Sequence, residues 1–197
     1  MNNNSLDKFI LEVKKVWGPL STDVVQNSKH LFGELVKAPS SEPWLADLIN
    51  NPPEAKELYR DSERGFLLIA YSEKKDTYRI PHDHGSGWVI YGIQNGEMEM
   101  GTYIRNVDQK GKLQLVNRET YPMRAGDNKV YLPGDIHHTR CLSESVLVLR
   151  FTSCDFKKED EEGRMIRYQD YEQNPACSML GCSLARPCSF CQERGNR

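Results

Sequence analysis

Three histidines carry the strongest chemical signal in this chain. His82 and His84 lie two residues apart in PHDHGSGW (81–88), and His137 follows in LPGDIHHTR (132–140). Side chains alternate between the two faces of a strand, so the imidazoles of an H-x-H pair point the same way. A third imidazole from a distant strand then completes a metal site with open positions, and nitrogen ligands suit Fe, Ni, Cu or Zn better than Mg or Ca. The alternative is that these are ordinary surface or core histidines in turns, and this would be the better explanation for any one of the three taken alone.

The two stretches resemble the paired motifs of the cupin superfamily. In the first motif a Glu ligand and then a Gly follow His-x-His; here Val89 takes the place of the Glu, and Gly96 is the Gly. In the second motif, Gly126 and the Pro-Gly pair precede His137 at the expected spacing, with Leu132 in place of a Pro. The resemblance implies a mainly β fold, a cupin jelly-roll barrel with N-terminal helices.

A three-histidine cupin site that lacks the carboxylate ligand is similar to that of the thiol dioxygenases, the cysteine dioxygenases and their bacterial relatives. This resemblance covers about residues 55–153. It implies that His82, His84 and His137 hold Fe(II), with Ni or Zn as alternatives. It also implies that a small thiol and dioxygen are the partners, and that the sulfur is oxidised to a sulfinate.

Two features of that family are absent from this sequence. Eukaryotic cysteine dioxygenases cross-link a Cys to a Tyr near the iron; the Cys position corresponds to Val89, and the Tyr region falls near Phe151. A Ser-His-Tyr trio that follows the third ligand in the family has no clear match in residues 145–153. The motif register also selects His137 over His138, which we expect to point away from the metal.

The resemblance further implies an arginine that binds the substrate carboxylate through its planar fork of donors. Arg60, in ELYRDSERGFLL (57–68), has the position that the family gives to this residue, and Arg64 is the second choice. The alternative is that Arg60 is a surface residue in a loop between a helix and a strand. The sequence assigns no catalytic side chain.

Composition limits the function classes. The chain has 197 residues, enough for one domain with a sizeable core, and its net charge of −2 predicts no nucleic-acid partner. The N-terminus lacks the features of a signal peptide, and no apolar run is long enough to span a bilayer. We therefore expect a cytoplasmic protein with reduced cysteines and no membrane partner. Oligomeric state cannot be predicted from these features.

Periodicity predicts helices first and strands afterwards. Apolar residues at helical spacing predict helices over 5–17, with Ser5 as N-cap, over 22–37, and from about Glu42 to the residue before Asn51. From Gly65 onwards short β-rich segments alternate with turns. The predicted strands cover 65–71, 88–93, 97–104, 112–123, 128–133 and 145–151. We expect three parts: an N-terminal helical segment (1–54), a barrel (55–155), and an acidic linker with a Cys-rich tail (156–197).

The C-terminal part presents two further motifs. The acidic run KKEDEE (157–162) predicts a solvated linker or loop. Beyond it, four cysteines follow one another as C-x4-C-x5-C-x2-C: Cys177, Cys182, Cys188 and Cys191. They are candidate ligands for a second metal, Zn or an Fe–S cluster; free thiols or a redox-active dithiol are the alternative.

The predicted function is the oxidation of a small carboxylate-bearing thiol by an iron dioxygenase. Two alternatives stay open from the sequence. One is another dioxygenase reaction, such as C–C cleavage, which would need an apolar pocket without a convergent Arg. The other is a metal or redox sensor that is not an enzyme, with the Cys-rich tail as its responsive part.

Overall fold

The computed structural model describes residues 4–107, 109 and 113–168. Within these residues three helices come first: α1 (Ser5–Val16), α2 (Thr22–Val36) and α3 (Pro43–Asn50). Nine strands follow: β1 (Lys56–Arg60), β2 (Leu67–Lys74), β3 (Tyr78–His82), β4 (Val89–Asn95), β5 (Glu97–Val107), β6 (Leu113–Arg124), β7 (Asn128–Tyr131), β8 (Ile136–Cys141) and β9 (Ser145–Thr152). A short helix, α4 (Phe156–Glu161), comes last.

The strands form two antiparallel sheets. One sheet has the order β1-β2-β9-β4-β7 and the other β3-β8-β5-β6. Most neighbours in these orders are distant in sequence, so the chain crosses repeatedly between the two sheets, as in a jelly roll. The predicted fold class, mainly β with a jelly-roll barrel and N-terminal helices, is confirmed. Among the described residues, no helix combines the length and apolar character needed to cross a membrane.

The five-stranded sheet is buried on both faces. Alternate residues of β9 belong to different cores: Leu147 and Leu149 pack with the N-terminal helices, whereas Val146 and Val148 pack inside the barrel. Helix α2 lies directly on β4 at Gly92, where an ideal Cβ would lie 2.3 Å from Cγ2 of Val36. The helices thus cover the outer face of this sheet, and its inner face is available to build a site.

Several local predictions need correction. Helix α1 is capped by Asn4, whose Oδ1 accepts the N–H of Asp7 at 2.8 Å, and not by Ser5. The predicted loop over 157–162 is wrong, because most of that run lies in α4 and Glu159 is buried. The acidic pattern alone did not reveal the partners of that carboxylate, which come from another part of the chain.

Three strands, β1, β3 and β8, lie outside the ranges predicted from β-rich segments. The H-x-H pair and His137 are nevertheless predicted to lie on strands; His82 ends β3 and His137 lies in β8, whereas His84 follows β3. These three strands are short and carry few apolar residues, so their local signal is weak. Strand β8 (IHHTRC) is extended because it pairs with β3 on one side and with β5 on the other. The division into parts ending at residues 54 and 155 stays a prediction.

Candidate metal centre

The barrel interior brings the three predicted histidines together. His82 ends β3 and lies directly opposite His137 of β8, while His84 follows two residues after His82. One nitrogen from each ring lies within 4.8 Å of the others. This spacing allows one ion to be bound by three imidazoles.

The protonation states of the rings suit metal binding. Burial lowers the pKa of His82 from 6.5 to about 4 and the pKa values of His84 and His137 well below 6.5, so all three are neutral at pH 7. The Nδ1 of His82 lies 2.8 Å from the carbonyl oxygen of Ile80; donation to this oxygen leaves Nε2 as a free acceptor.

Unsatisfied ring nitrogens also indicate where a ligand would bind. Among the described atoms, Nδ1 of His84 and both ring nitrogens of His137 are buried without a hydrogen-bond partner. Buried polar groups are rarely left unpaired, because each costs free energy. The residues therefore fit a bound transition-metal ion.

The cluster contains no carboxylate among the residues that the structure describes. Val89, at the position of the usual Glu ligand, is fully buried in the apolar barrel core. Asp83 lies between two of the ligands in sequence, but its Oδ1 accepts the N–H groups of Gly85 and Ile166. Its Oδ2 accepts the hydroxyl of Tyr168 at 3.2 Å. Asp83 thus holds the loop and is not part of the cluster.

Aromatic side chains fix the orientation of the imidazoles. The ring of Tyr131 stacks on His137 with 4.0 Å between centroids, and Phe156 stacks on His84 at 4.3 Å. The hydroxyl of Tyr91 lies 3.1 Å from Nε2 of His84. These contacts restrict ring rotation and exclude water from the inner side of the site.

A second set of contacts holds the loop that carries His84. The buried carboxylate of Glu159, on α4, accepts the backbone N–H of Ser86 at 3.1 Å and its hydroxyl at 2.8 Å. Its other oxygen pairs with Arg164 at 2.6 Å. The hydrogen bonds from Arg164, and to a smaller extent those from Ser86, lower the pKa of Glu159 to about 2. Helix α4 is therefore a support for the metal loop.

The chain after α4 also lies beside the site. The backbone N–H of Tyr168 donates to the carbonyl of Pro81 at 2.8 Å, and a β-bridge joins His82 to Arg167. These contacts extend the wall of the site beyond the barrel itself.

A pocket of about 630 Å³ opens onto two of the histidines, His82 and His84. Tyr91 and Phe156 line it close to these rings. Its other walls carry four cationic side chains, Arg79, Arg150, Lys157 and Arg167, and two carboxylates, Glu54 and Asp160. The pocket can therefore bring an anionic molecule to the metal site.

The structure places Arg60 away from this pocket. Its guanidinium is exposed at the end of β1, where Nη2 lies 2.6 Å from Glu57 and Nη1 lies 2.7 Å from Asp155. Arg64 is likewise beside carboxylates, 3.1 Å from Glu63. Neither lines the pocket that contains the histidines. The role of Arg60 as the substrate anchor stays a prediction without support from this arrangement.

The sequence reasoning named none of the three pocket arginines, and Arg150 is the one that a sequence signal could have found. It interrupts the apolar run SVLVLRF (145–151) and has the same strand parity as Val146 and Val148, which face the barrel interior. A charged residue at an inward position of a buried strand was the signal that could have found it.

His138 lies on the other face of β8 from His137. Its Nδ1 lies 2.6 Å from the hydroxyl of Tyr103, and its Nε2 lies 3.3 Å from Glu99. It is not a member of the three-histidine cluster. The four tail cysteines, Cys177, Cys182, Cys188 and Cys191, lie outside the described residues.

No protein-family model and no curated protein matches this chain. Several solved structures resemble it. One is KdgF from Halomonas sp.: the two sequences are 15% identical, the match covers 50% of this chain and 74% of KdgF, and the TM-score is 0.40. The cupin domain of Schizosaccharomyces pombe Cnp3 has 11% identity, 55% and 69% coverage, and a TM-score of 0.41. The DMSP lyase DddQ from Ruegeria pomeroyi has 16% identity, 61% and 53% coverage, and a TM-score of 0.41. The jelly-roll assignment itself follows from the strand order of the two sheets.

Proposed function

We propose that this protein is a non-haem iron dioxygenase that oxidises a small carboxylate-bearing thiol to its sulfinate. The observation that carries the proposal is the cluster of three neutral imidazoles at a pocket with an excess of cationic side chains. Among the described residues, no carboxylate belongs to this cluster. Neutral ligands leave the full charge of Fe(II) uncompensated. Such a site favours an anionic thiolate, and three protein ligands leave positions open for it.

When bound, iron would bring thiolate and dioxygen together and act as a Lewis acid toward both. The reaction is balanced without an external reductant. The sulfur loses four electrons, O₂ gains these four electrons, and both of its oxygen atoms end in the sulfinate. The side chains of this chain provide the rest of the site. Phe156 and Met165 give the pocket apolar walls, and Tyr91 places a hydroxyl beside His84.

The cationic lining bears on the choice between reactions. A C–C-cleaving dioxygenase for an apolar substrate would be expected to have an apolar pocket without a convergent arginine. This pocket contains three arginines and one lysine against two carboxylates, so positive charge is in excess. It therefore supports an anionic substrate in preference to an apolar one.

The metal assignment is tested by iron loading without oxygen, followed by metal analysis. We expect about one iron per chain, with Ni or Zn as the alternatives that the analysis would reveal. Substitution of His82, His84 or His137 by Ala should each abolish stoichiometric binding. His138→Ala is the matched control and should retain the metal. Retention of the metal in His137→Ala would show that the ligand assignment is wrong.

The reaction is tested by oxygen uptake over a panel of thiols with the iron-loaded protein. We expect carboxylate-bearing thiols such as 3-mercaptopropionate or cysteine to consume one O₂ per sulfinate formed, and thiols without a carboxylate to react poorly. If no carboxylate-bearing thiol consumes oxygen, the proposed reaction is wrong.

A further inference from the structure

We infer that Arg150, and not Arg60, binds the anionic end of the substrate, which is a short molecule with a planar carboxylate. This inference rests on the proposed function for the identity of the substrate, but not for the existence of an anion site. The argument starts from the position of Arg150 in the sheet. It lies in β9, directly between Ile69 of β2 and Tyr91 of β4, and its side chain lines the same pocket as both of them.

Charge pairing separates Arg150 from the other cations of the pocket. The other three each have a carboxylate partner: Arg79 with Glu73 at 2.5 Å, Arg167 with Asp160 at 2.6 Å and Lys157 with Glu161 at 3.8 Å. Within the described chain no carboxylate forms an ion pair with Arg150, and its Nε is buried without a hydrogen-bond partner. A half-buried guanidinium with an unsatisfied donor is a site for an anion.

Neighbouring rings restrict how an anion can approach. The Cζ of Arg150 lies 5.7 Å from the ring centroid of Tyr71 and 5.9 Å from that of Phe156. Rings over a guanidinium stabilise it and leave its edge, which carries the N–H donors, for in-plane contacts. A planar two-oxygen anion such as a carboxylate matches that edge in a bidentate way.

A short path connects this anion site to the histidines. Arg150 interacts with the hydroxyl of Tyr91, its cross-strand neighbour. That hydroxyl lies 3.1 Å from Nε2 of His84. A molecule bound to Arg150 therefore reaches the metal site across about one side chain, which limits it to a few atoms between the carboxylate and the metal-binding group.

Arg60 provides the matched control, because it is an arginine with two carboxylate partners outside the pocket. Its pairing with Glu57 and Asp155 leaves it little capacity to bind a further anion. Substitution by Gln at each position removes the charge and keeps a polar side chain, so the two variants differ chiefly in location.

The test is calorimetric binding to the iron-loaded protein without oxygen, with three probes: 3-mercaptopropionate, its amide, and 3-hydroxypropionate. The wild-type protein should bind the acid more tightly than the amide. Arg150→Gln should lose about 10- to 100-fold in affinity for the acid and should no longer distinguish it from the amide, since a charge-assisted bidentate contact is lost. Arg60→Gln should bind all three probes like the wild type.

Arg150→Lys keeps the charge and protects the test against a folding defect in Arg150→Gln. It should recover only part of the affinity, because a point ammonium cannot reproduce the planar fork. Equal affinity for the acid and the amide in the wild type would overturn the inference, as would a loss in Arg60→Gln with none in Arg150→Gln. If 3-hydroxypropionate binds in an Arg150-dependent way but no thiol consumes oxygen, the anion site stands and the proposed oxidation fails.

Discussion

Acidification should destabilise the metal-free protein through its buried histidines. In the folded protein the pKa of His82 is about 4, whereas its ordinary value is 6.5. Between these two pH values the unfolded chain binds a proton at this position and the folded chain does not. The free energy of unfolding must therefore fall as the pH falls from about 6.5 to 4, and the stabilisation is retained above 6.5.

The size of the effect follows from the shift at His82. One pKa unit corresponds to about 1.4 kcal/mol, so the full difference between 6.5 and about 4 is roughly 3 kcal/mol, of which about 2 kcal/mol should be lost between pH 7 and pH 5. His84 and His137 shift in the same direction and add to this loss. A small domain is stable by only about 5–15 kcal/mol, so the change is easily measured.

The assay is urea denaturation of the chelator-treated protein at pH 7, 6 and 5. His82→Gln should show a clearly smaller loss of stability over this range than the wild type. His30→Gln, at an exposed position on α2, should behave like the wild type. The pKa of Glu159, at about 2, places its contribution below this range, so its protonation does not confuse the result. Identical pH dependence in the wild type and His82→Gln would refute the reasoning.

Three further predictions concern other parts of the molecule. Gly92→Ala should destabilise the protein by about 1–3 kcal/mol in urea, because its Cβ would lie 2.3 Å from Val36, whereas Gly18→Ala, whose Cβ would make only an ordinary contact with Val24 at 3.9 Å, should not. Glu159→Gln should weaken metal binding in a chelator competition by about 10- to 100-fold, because its carboxylate supports the histidine loop; an unchanged affinity would contradict this role. A chain shortened after residue 172 should keep its thermal stability and its iron, since it retains Tyr168, which contacts Pro81 and Asp83 beside the metal loop; a collapse would favour a structural metal site in the Cys-rich tail.

Much of the architecture follows from local sequence. Apolar residues at helical spacing predict the three N-terminal helices, and β-rich segments between turn residues predict six of the strands, because these signals depend on neighbours a few positions away. The H-x-H pair and the distant His137 predict the metal site in a different way. The ability of imidazole to bind a metal is a property of the residue type, and the motif spacing shows which histidines belong together. These histidines meet in the structure as the motif spacing predicts.

The tertiary structure decided which charged residues line the pocket beside the histidines. Arg60 and Arg150 are both arginines in or beside strands; strand parity suggests that Arg150 faces inward, but it does not show which partners either residue meets. Arg60 meets Asp155, 95 residues away in sequence, and is held at the surface, whereas Arg150 is turned inward by the pairing of β9 with β2 and β4. Likewise Glu159 is buried only because Ser86 and Arg164 meet it there. The free energy of a charge depends on its partners and its burial, and both are properties of the folded chain.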